Sequence, residues 1–254
     1  VVVIVGCGLW LGWYALDSHH QKEAFAGLSQ EFVLEEPTAA DEQPAESNTA
    51  EGETSTVTLA VDDANTPPRH DLAALQAEHS DCVGWLTIPD TGIDYPVMHT
   101  PDTPEHYLRR DFYGNSASGG TPFLDGRNEA QAKGQNLIVY GHNMLDGTMF
   151  KPVLQYLTPN FRQTHQDIYL ELNGAQYHYQ VIAALEANTR SPVYTYTDLS
   201  DAAEMEGFRA MLLEETGVGA IPQAEGYLTL STCNDQSGNS RVLVIAALVE
   251  EVQR

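Results

Sequence analysis

The sequence predicts a mainly β fold, a closed barrel of about eight short strands interrupted by a few helices. Three observations carry this. β-Prone runs recur between residues 85 and 249, separated by the Asn, Asp, Gly and Pro residues that turn a chain. Asn173-Gly174 stands between two of these runs, Asp167–Leu172 and Gln176–Asn188, as a strong hairpin signal. A polar loop at 234–240 separates two more, Tyr227–Thr232 and the almost continuously apolar Val242–Val249. Many short strands with inserted helices suit closure into a barrel.

In order, Asp71 is placed to cap a short helix over Leu72–His79, with Leu72 and Leu75 pointing one way. Trp85–Ile88 and Ile93–Met98 read as strands about a turn at Pro89–Gly92. Glu105–Arg109 is one helical turn, and Gly119–Leu124 and Asn136–Tyr140 are strands. Gly147-Thr148 opens a helix over Met149–Leu157. Leu199–Thr216 is a longer helix, because Met205, Phe208, Met211 and Leu212 are spaced for one buried face. No internal repeat is visible.

The flanking segments differ from the domain. Val1–Leu16 is apolar and uncharged, with Trp10, Trp13 and Tyr14 near its end like an aromatic belt at a lipid interface. Sixteen residues are slightly short of the roughly 20 a bilayer span needs, and position 1 is not Met. The expectation is part of an N-terminal transmembrane anchor at 1–16, giving a single-pass protein of the cell membrane with the rest of the chain extracellular. A helical stalk continues from His19 to about Phe32. From Glu31 to Thr66 there are ten acidic residues and no Lys or Arg, with no apolar period. Such a stretch cannot bury enough surface to fold alone, so 17–66 reads as stalk and flexible acidic linker and 67–254 as the domain.

Charge and cysteine usage narrow the function. Twelve Lys and Arg face 36 Asp and Glu, a net charge of −24. Nucleic acid, a polyanion, is a poor partner for such a chain. Cys7, Cys82 and Cys233 are widely spaced and odd in number, which fits neither a disulfide framework nor a zinc site. The histidines other than His142 show no metal-ligand spacing, so neither metal nor cofactor is expected. Cys233 ends a strand and Arg241 begins the next, so both can face one pocket mouth. A nucleophile beside a fixed positive charge is one reading; a core cysteine and a surface arginine on an ordinary hairpin is the other. About ninety residues upstream, another apolar strand runs Asn136-Leu-Ile-Val-Tyr-Gly and is followed at once by His142-Asn143. These residues do not by themselves rank Arg241 above Arg109 or Arg190. Cys82, beside the Val83-Gly84-Trp85 strand, is taken for a bystander.

The pair of patterns, a strand ending in Gly-His-Asn and TLSTC followed by a loop and Arg, resembles the sortases, the cysteine transpeptidases of Gram-positive cell surfaces. YGHNMLDGTMF around His142, VGWLTIPDTGIDYPVMH at 83–99 and YLRRDFYGNSASGGTPFLD at 107–125 are similar to class B members. The likeness spans roughly residues 72–249, with the motifs in order. It implies a sortase-type barrel with an N-terminal helix and a long helix before the cysteine strand, the place held by 199–216.

The resemblance also implies roles. Cys233 would form a thioester acyl-enzyme on a C-terminal sorting motif cut after Thr. His142 would protonate the leaving amine and deprotonate the incoming one, and Arg241 would steady the oxyanion or the substrate backbone. The implied partners are surface proteins bearing the motif and an amine of peptidoglycan precursor or a pilin lysine. Ser231 and Thr232 flank the thiol as candidate substrate contacts, Ser231 on its strand face by period two. Tyr194 and Tyr196 are candidates to line the peptide groove. Asn143 and Asp235 are candidates to support the catalytic groups. Against each stands ordinary packing or turn formation. Two other functions stay open: a cysteine endopeptidase releasing the acyl group to water, and a noncatalytic surface-binding barrel.

Overall fold

The computed structural model of the protein describes residues 2–34, 66–234 and 238–252. The expected acidic linker falls largely on 35–65, and Asp235 on 235–237, outside the described residues. Eight strands close into a barrel: β1 (Cys82–Ile88), β2 (Ile93–Met98), β3 (Phe123–Leu124), β4 (Asn136–Tyr140), β5 (Asp167–Leu172), β6 (Ala175–Asn188), β7 (Tyr227–Cys233) and β8 (Ser240–Glu251). Around the barrel the order is β1-β2-β3-β4-β7-β8-β6-β5. Two seams are parallel, β2 with β3 and β4 with β7; the others are antiparallel. The mainly β expectation is met.

Local chemistry explains the elements. The β5–β6 turn places Asn173 at φ 52° and Gly174 at φ 79°, the doubly left-handed backbone that an Asn-Gly hairpin supplies. The short helix α2 (Leu72–Glu78) is capped by Asp71, whose carboxylate accepts from the Ala74 N–H at 3.0 Å. The helix α4 (Ala202–Thr216) buries Phe208 and Leu212 against Tyr227 and Leu243, and ends at Gly217 in the left-handed conformation. Trp85, Leu137, Leu228 and Val244, all fully buried, belong to the barrel interior.

Three expectations change. The strand foreseen at Gly119–Leu124 shrinks to two residues. Gly120 has φ 59°, and a Cβ there would lie 2.5 Å from the Leu108 carbonyl oxygen, so 119–122 packs as a loop instead of a strand. The helix foreseen at Met149–Leu157 is a 3-10 helix at Lys151–Leu157 with Pro152 in its first turn, and the short helix α3 (Pro159–Thr164) follows it. The third concerns the N-terminus. Helix α1 (Val2–Glu31) forms, yet no helix among the described residues is long and apolar enough to cross a membrane. After Leu16 the helix turns polar, and those residues bind the barrel. Asp17 accepts from the Ser118 N–H, Ser18 bonds Asp146, Gln21 accepts from the Gly119 N–H, and Phe25 and Leu28 are buried. The transmembrane anchor at 1–16, and the single-pass localisation built on it, are therefore not supported.

Candidate active site

The parallel seam between β4 and β7 brings two distant segments to one rim. In its register Tyr140 lies beside Ser231, so continuing each strand by two residues sets His142 level with Cys233. The pairing persists past β4, because the Gly141 N–H donates to the Ser231 carbonyl at 3.1 Å. The Thr232 hydroxyl donates to the Gly141 carbonyl at 2.8 Å, and Asn143 Nδ2 to the Cys233 carbonyl at 3.0 Å. Across the antiparallel β7–β8 ladder, Cys233 is directly opposite Arg241. Directly opposed residues share a face, with Cβ atoms about 4.5–5.5 Å apart. The three candidates are thus placed by strand register.

They line a cleft of about 590 Å³, together with Leu108, Tyr140, Tyr194, Ser231 and Thr232. His142 Nε2 donates to the Leu108 carbonyl at 2.7 Å, since a carbonyl can only accept. Its Nδ1 is thereby the ring nitrogen left to act as a proton acceptor. Burial pushes the His142 imidazole below its ordinary 6.5; the Leu108 carbonyl opposes this and the Arg109 charge adds to it. That shift favours the neutral form of the ring. Cys233 is half-buried, with no disulfide. Arg241 Nη1 donates to the carbonyls of Gly238 and Ser240 at 2.8 and 3.1 Å, which ties the guanidinium to its own loop. By contrast, Cys82 is fully buried and its thiol is pushed up to about 12 by burial, which makes it inert.

The cleft wall is a polar and aromatic network. Tyr194 OH and Ser231 Oγ share a hydrogen bond at 2.8 Å, and the Tyr194 ring stacks on Tyr140. Tyr140 OH donates to Asp125 at 2.8 Å, and Asp125 also takes Nε and Nη2 of Arg127 at 2.8 and 2.7 Å. Burial would raise the Asp125 carboxyl, but the hydrogen bonds from Arg127 and Tyr140 outweigh it and hold the group below the usual carboxylate range. Burial and the nearby Asp125 charge raise the Tyr140 phenol, so it stays a donor.

Of the residues expected in the groove, Ser231, Thr232 and Tyr194 line it; Tyr196 does not. Residues Pro192–Thr195 form a 3-10 turn, so Tyr196 rotates away and packs on Phe208 of α4. Arg190 lines the cleft, while Arg109 lines a neighbouring groove that His142 also borders. Sequence reading passed over Asp125, Arg127, Tyr140 and the Leu108 carbonyl. Tyr140 was legible as the last strand residue before Gly-His; a backbone carbonyl leaves no sequence signal.

Comparison with known proteins agrees with this architecture. Residues 86–249 match the family described as sortase domain. Sortase B of Listeria monocytogenes is 28% identical over 238 residues, 92% of this chain and 88% of the relative. A crystal structure of sortase B from B. anthracis, in complex with AAEK1, superposes with TM-score 0.69 at 25% identity, covering 92% of this chain and 99% of that one. The Staphylococcus aureus sortase B–substrate complex superposes with TM-score 0.63 at 28% identity over 70% of this chain and 84% of that one. A barrel closed in this order, and a family match over most of its length, make this chain a member of the sortase family, a transpeptidase of class B.

Proposed function

We propose that this sortase cuts a C-terminal sorting motif of surface proteins after its threonine, holds the acyl half as a thioester on Cys233, and passes it to a primary amine. That amine belongs to a peptidoglycan precursor or a pilin lysine. The supporting observation is the register that sets His142 and Arg241 on either side of Cys233 at the rim of one cleft.

Neutral His142 takes the Cys233 proton on Nδ1 as the sulfur adds to the threonine carbonyl. The guanidinium of Arg241 stabilises the resulting oxyanion, with a charge that cannot be titrated away. The intermediate collapses, the C–N bond breaks, and the imidazolium gives its proton to the leaving amine. In the second half the incoming amine adds to the thioester and yields its proton to His142. The C–S bond then breaks, and the thiolate recovers that proton. Ser231 and Tyr194 hold the peptide, and Asn143 fixes the backbone of Cys233. The solved substrate complex of sortase B from S. aureus supports the binding of a substrate by this fold.

The test is mass spectrometry of the protein mixed with sorting-motif peptides and triglycine. A peptide cut after Thr and joined to the amine is expected from the intact protein, but not from Cys233→Ala or His142→Ala. Cleavage without transfer, or no adduct on Cys233 with any peptide, would overturn the proposal.

A further inference from the structure

With its proton held on Nε2, His142 has Nδ1 free to act as a base, and the Leu108 carbonyl at 2.7 Å does the holding. That oxygen belongs to a single 3-10 turn, His106–Arg109. One turn closes too few bonds to hold its own position, so anchors outside it must do so. Part of the hold is main chain. The Tyr107 carbonyl accepts from the Thr121 N–H, and the Arg109 carbonyl from the Ala117 N–H, both at 3.1 Å. These bonds tie the turn to the 117–121 loop, which belongs to no strand.

The link to the barrel frame is Tyr107, the buried side chain of the turn. Its phenol donates to Asp81 Oδ2 at 2.9 Å. With that proton committed, the phenol oxygen accepts from the His79 ring, whose Nε2 lies at 3.1 Å. Both partners are themselves fixed. His79 ends α2, its N–H donating to the Leu75 carbonyl at 2.8 Å, and its ring meets Tyr107 and Phe112 edge-on. The Asp81 carbonyl accepts from the His99 N–H at 2.8 Å, one residue before β1 and one after β2. Burial and the bond to Asp81 raise the Tyr107 phenol, so it stays a donor; Cys82 and Arg110 also bear on it, and Arg109 is the charge beside His142. Tyr107 lines neither the cleft that holds Cys233 nor the groove next to it.

We propose that Tyr107, seated on Asp81 and His79, is a positioning residue for His142. Its phenol fixes the turn so that the Leu108 carbonyl meets Nε2, and Nδ1 stays free to take the thiol proton. The assignment rests on the acyl-transfer reading above. Asp81 and His79 thereby act on the reaction from the α2–β1 connection, through one side chain and the carbonyl of the next residue.

The test reads the imidazole directly, by NMR of the full chain carrying nitrogen-labelled histidine. A two-bond proton–nitrogen correlation at about pH 8, above the ordinary histidine range, shows which ring nitrogen of His142 holds the proton. His142→Gln identifies its signals. A protonated Nε2 and a bare Nδ1 are expected in the wild type. Tyr107→Phe and Asp81→Ala should draw the two nitrogen shifts together as the tautomers mix. Asp81→Asn, which still offers the phenol an oxygen, should keep them apart. With sorting peptide and triglycine, Tyr107→Phe and Asp81→Ala should lose about tenfold in kcat at unchanged KM, as a ring displaced by roughly half an ångström would. Glu171→Ala breaks the buried pair with His70 and gives the effect of lost stability alone, so its tautomer should match the wild type. A wild-type tautomer and kcat in Tyr107→Phe, or the same tautomer mixing in Glu171→Ala, would overturn the assignment. The spectra need no substrate. Mixing confined to Tyr107→Phe and Asp81→Ala, in a protein that joins no peptide to any amine, would count against the proposed function and leave the positioning role intact.

Discussion

Gly141 has no room for a methyl group. A Cβ built there meets the Phe150 ring at 2.5 to 2.7 Å, across three of its carbons, where ordinary contact begins near 3.4 Å. In Gly141→Ala the ring or the strand end must retreat by 3.4 minus 2.5, about 0.9 Å. Phe150 is fully buried and its N–H donates to the His142 carbonyl at 2.8 Å, so it cannot swing into solvent. Overpacking of this kind costs about 1–3 kcal/mol, which for a domain of this size lowers Tm by roughly 2–12 °C. The displaced atoms adjoin His142, and a misplacement near 1 Å at a reacting group costs about 100-fold in rate. Thermal unfolding followed by circular dichroism, with transfer kinetics on the same samples, measures both losses. Adding Phe150→Leu should recover part of each, because the smaller side chain vacates the contested space. Wild-type Tm and kcat/KM in Gly141→Ala would refute the reasoning.

Further outcomes follow from the site and the core. Burial holds the His142 imidazole below 6.5, so the acid limb of kcat/KM should lie below pH 6.5, and Arg109→Gln should move it upward; a limb unmoved by that change would contradict the charge effect. Between that lowered pKa and 6.5 the unfolded chain binds more protons than the folded one, so the stability His142 lends is full above 6.5 and falls as pH drops; urea melts of wild type and His142→Gln across pH 5–7 would show a difference that shrinks toward acid. Tyr194→Phe removes the 2.8 Å bond to Ser231, worth about 1 kcal/mol, and should raise KM for the sorting peptide about fivefold in steady-state assays. Glu171 takes both the backbone N–H and Nδ1 of buried His70, at 2.9 and 2.7 Å; Glu171→Ala should cost about 3 kcal/mol by urea denaturation, with the slope unchanged.

Where periodicity was strong, the sequence was enough. The strands 93–98, 136–140 and 167–172 and the Asn-Gly turn could be read because apolar alternation and turn chemistry are local. The 119–122 loop could not, because what breaks it is the approach of the Tyr107 and Leu108 carbonyls to Gly120. Tyr194 and Tyr196 looked equivalent at a spacing of two, but a 3-10 turn sends one to the cleft and the other to Phe208. The motifs around His142 and Cys233 pointed to one pocket, yet the Leu108 carbonyl that fixes the imidazole tautomer is main chain and invisible to composition. Residues 1–16 misled because an apolar run says nothing about the polar turns after it, which grip Ser118, Gly119 and Asp146.

The parallel seam between β4 and β7 has a kinetic consequence. Asn143 and Cys233 are 90 residues apart in sequence and touch only once that seam has formed. Long loop closures of this kind are slow, because chain entropy is lost before any contact rewards it. No hairpin or fragment of the chain can bring the thiol and the imidazole together on its own. A partly folded chain emerging from synthesis would therefore carry an ordinary cysteine, and chemistry would begin only when the barrel closes.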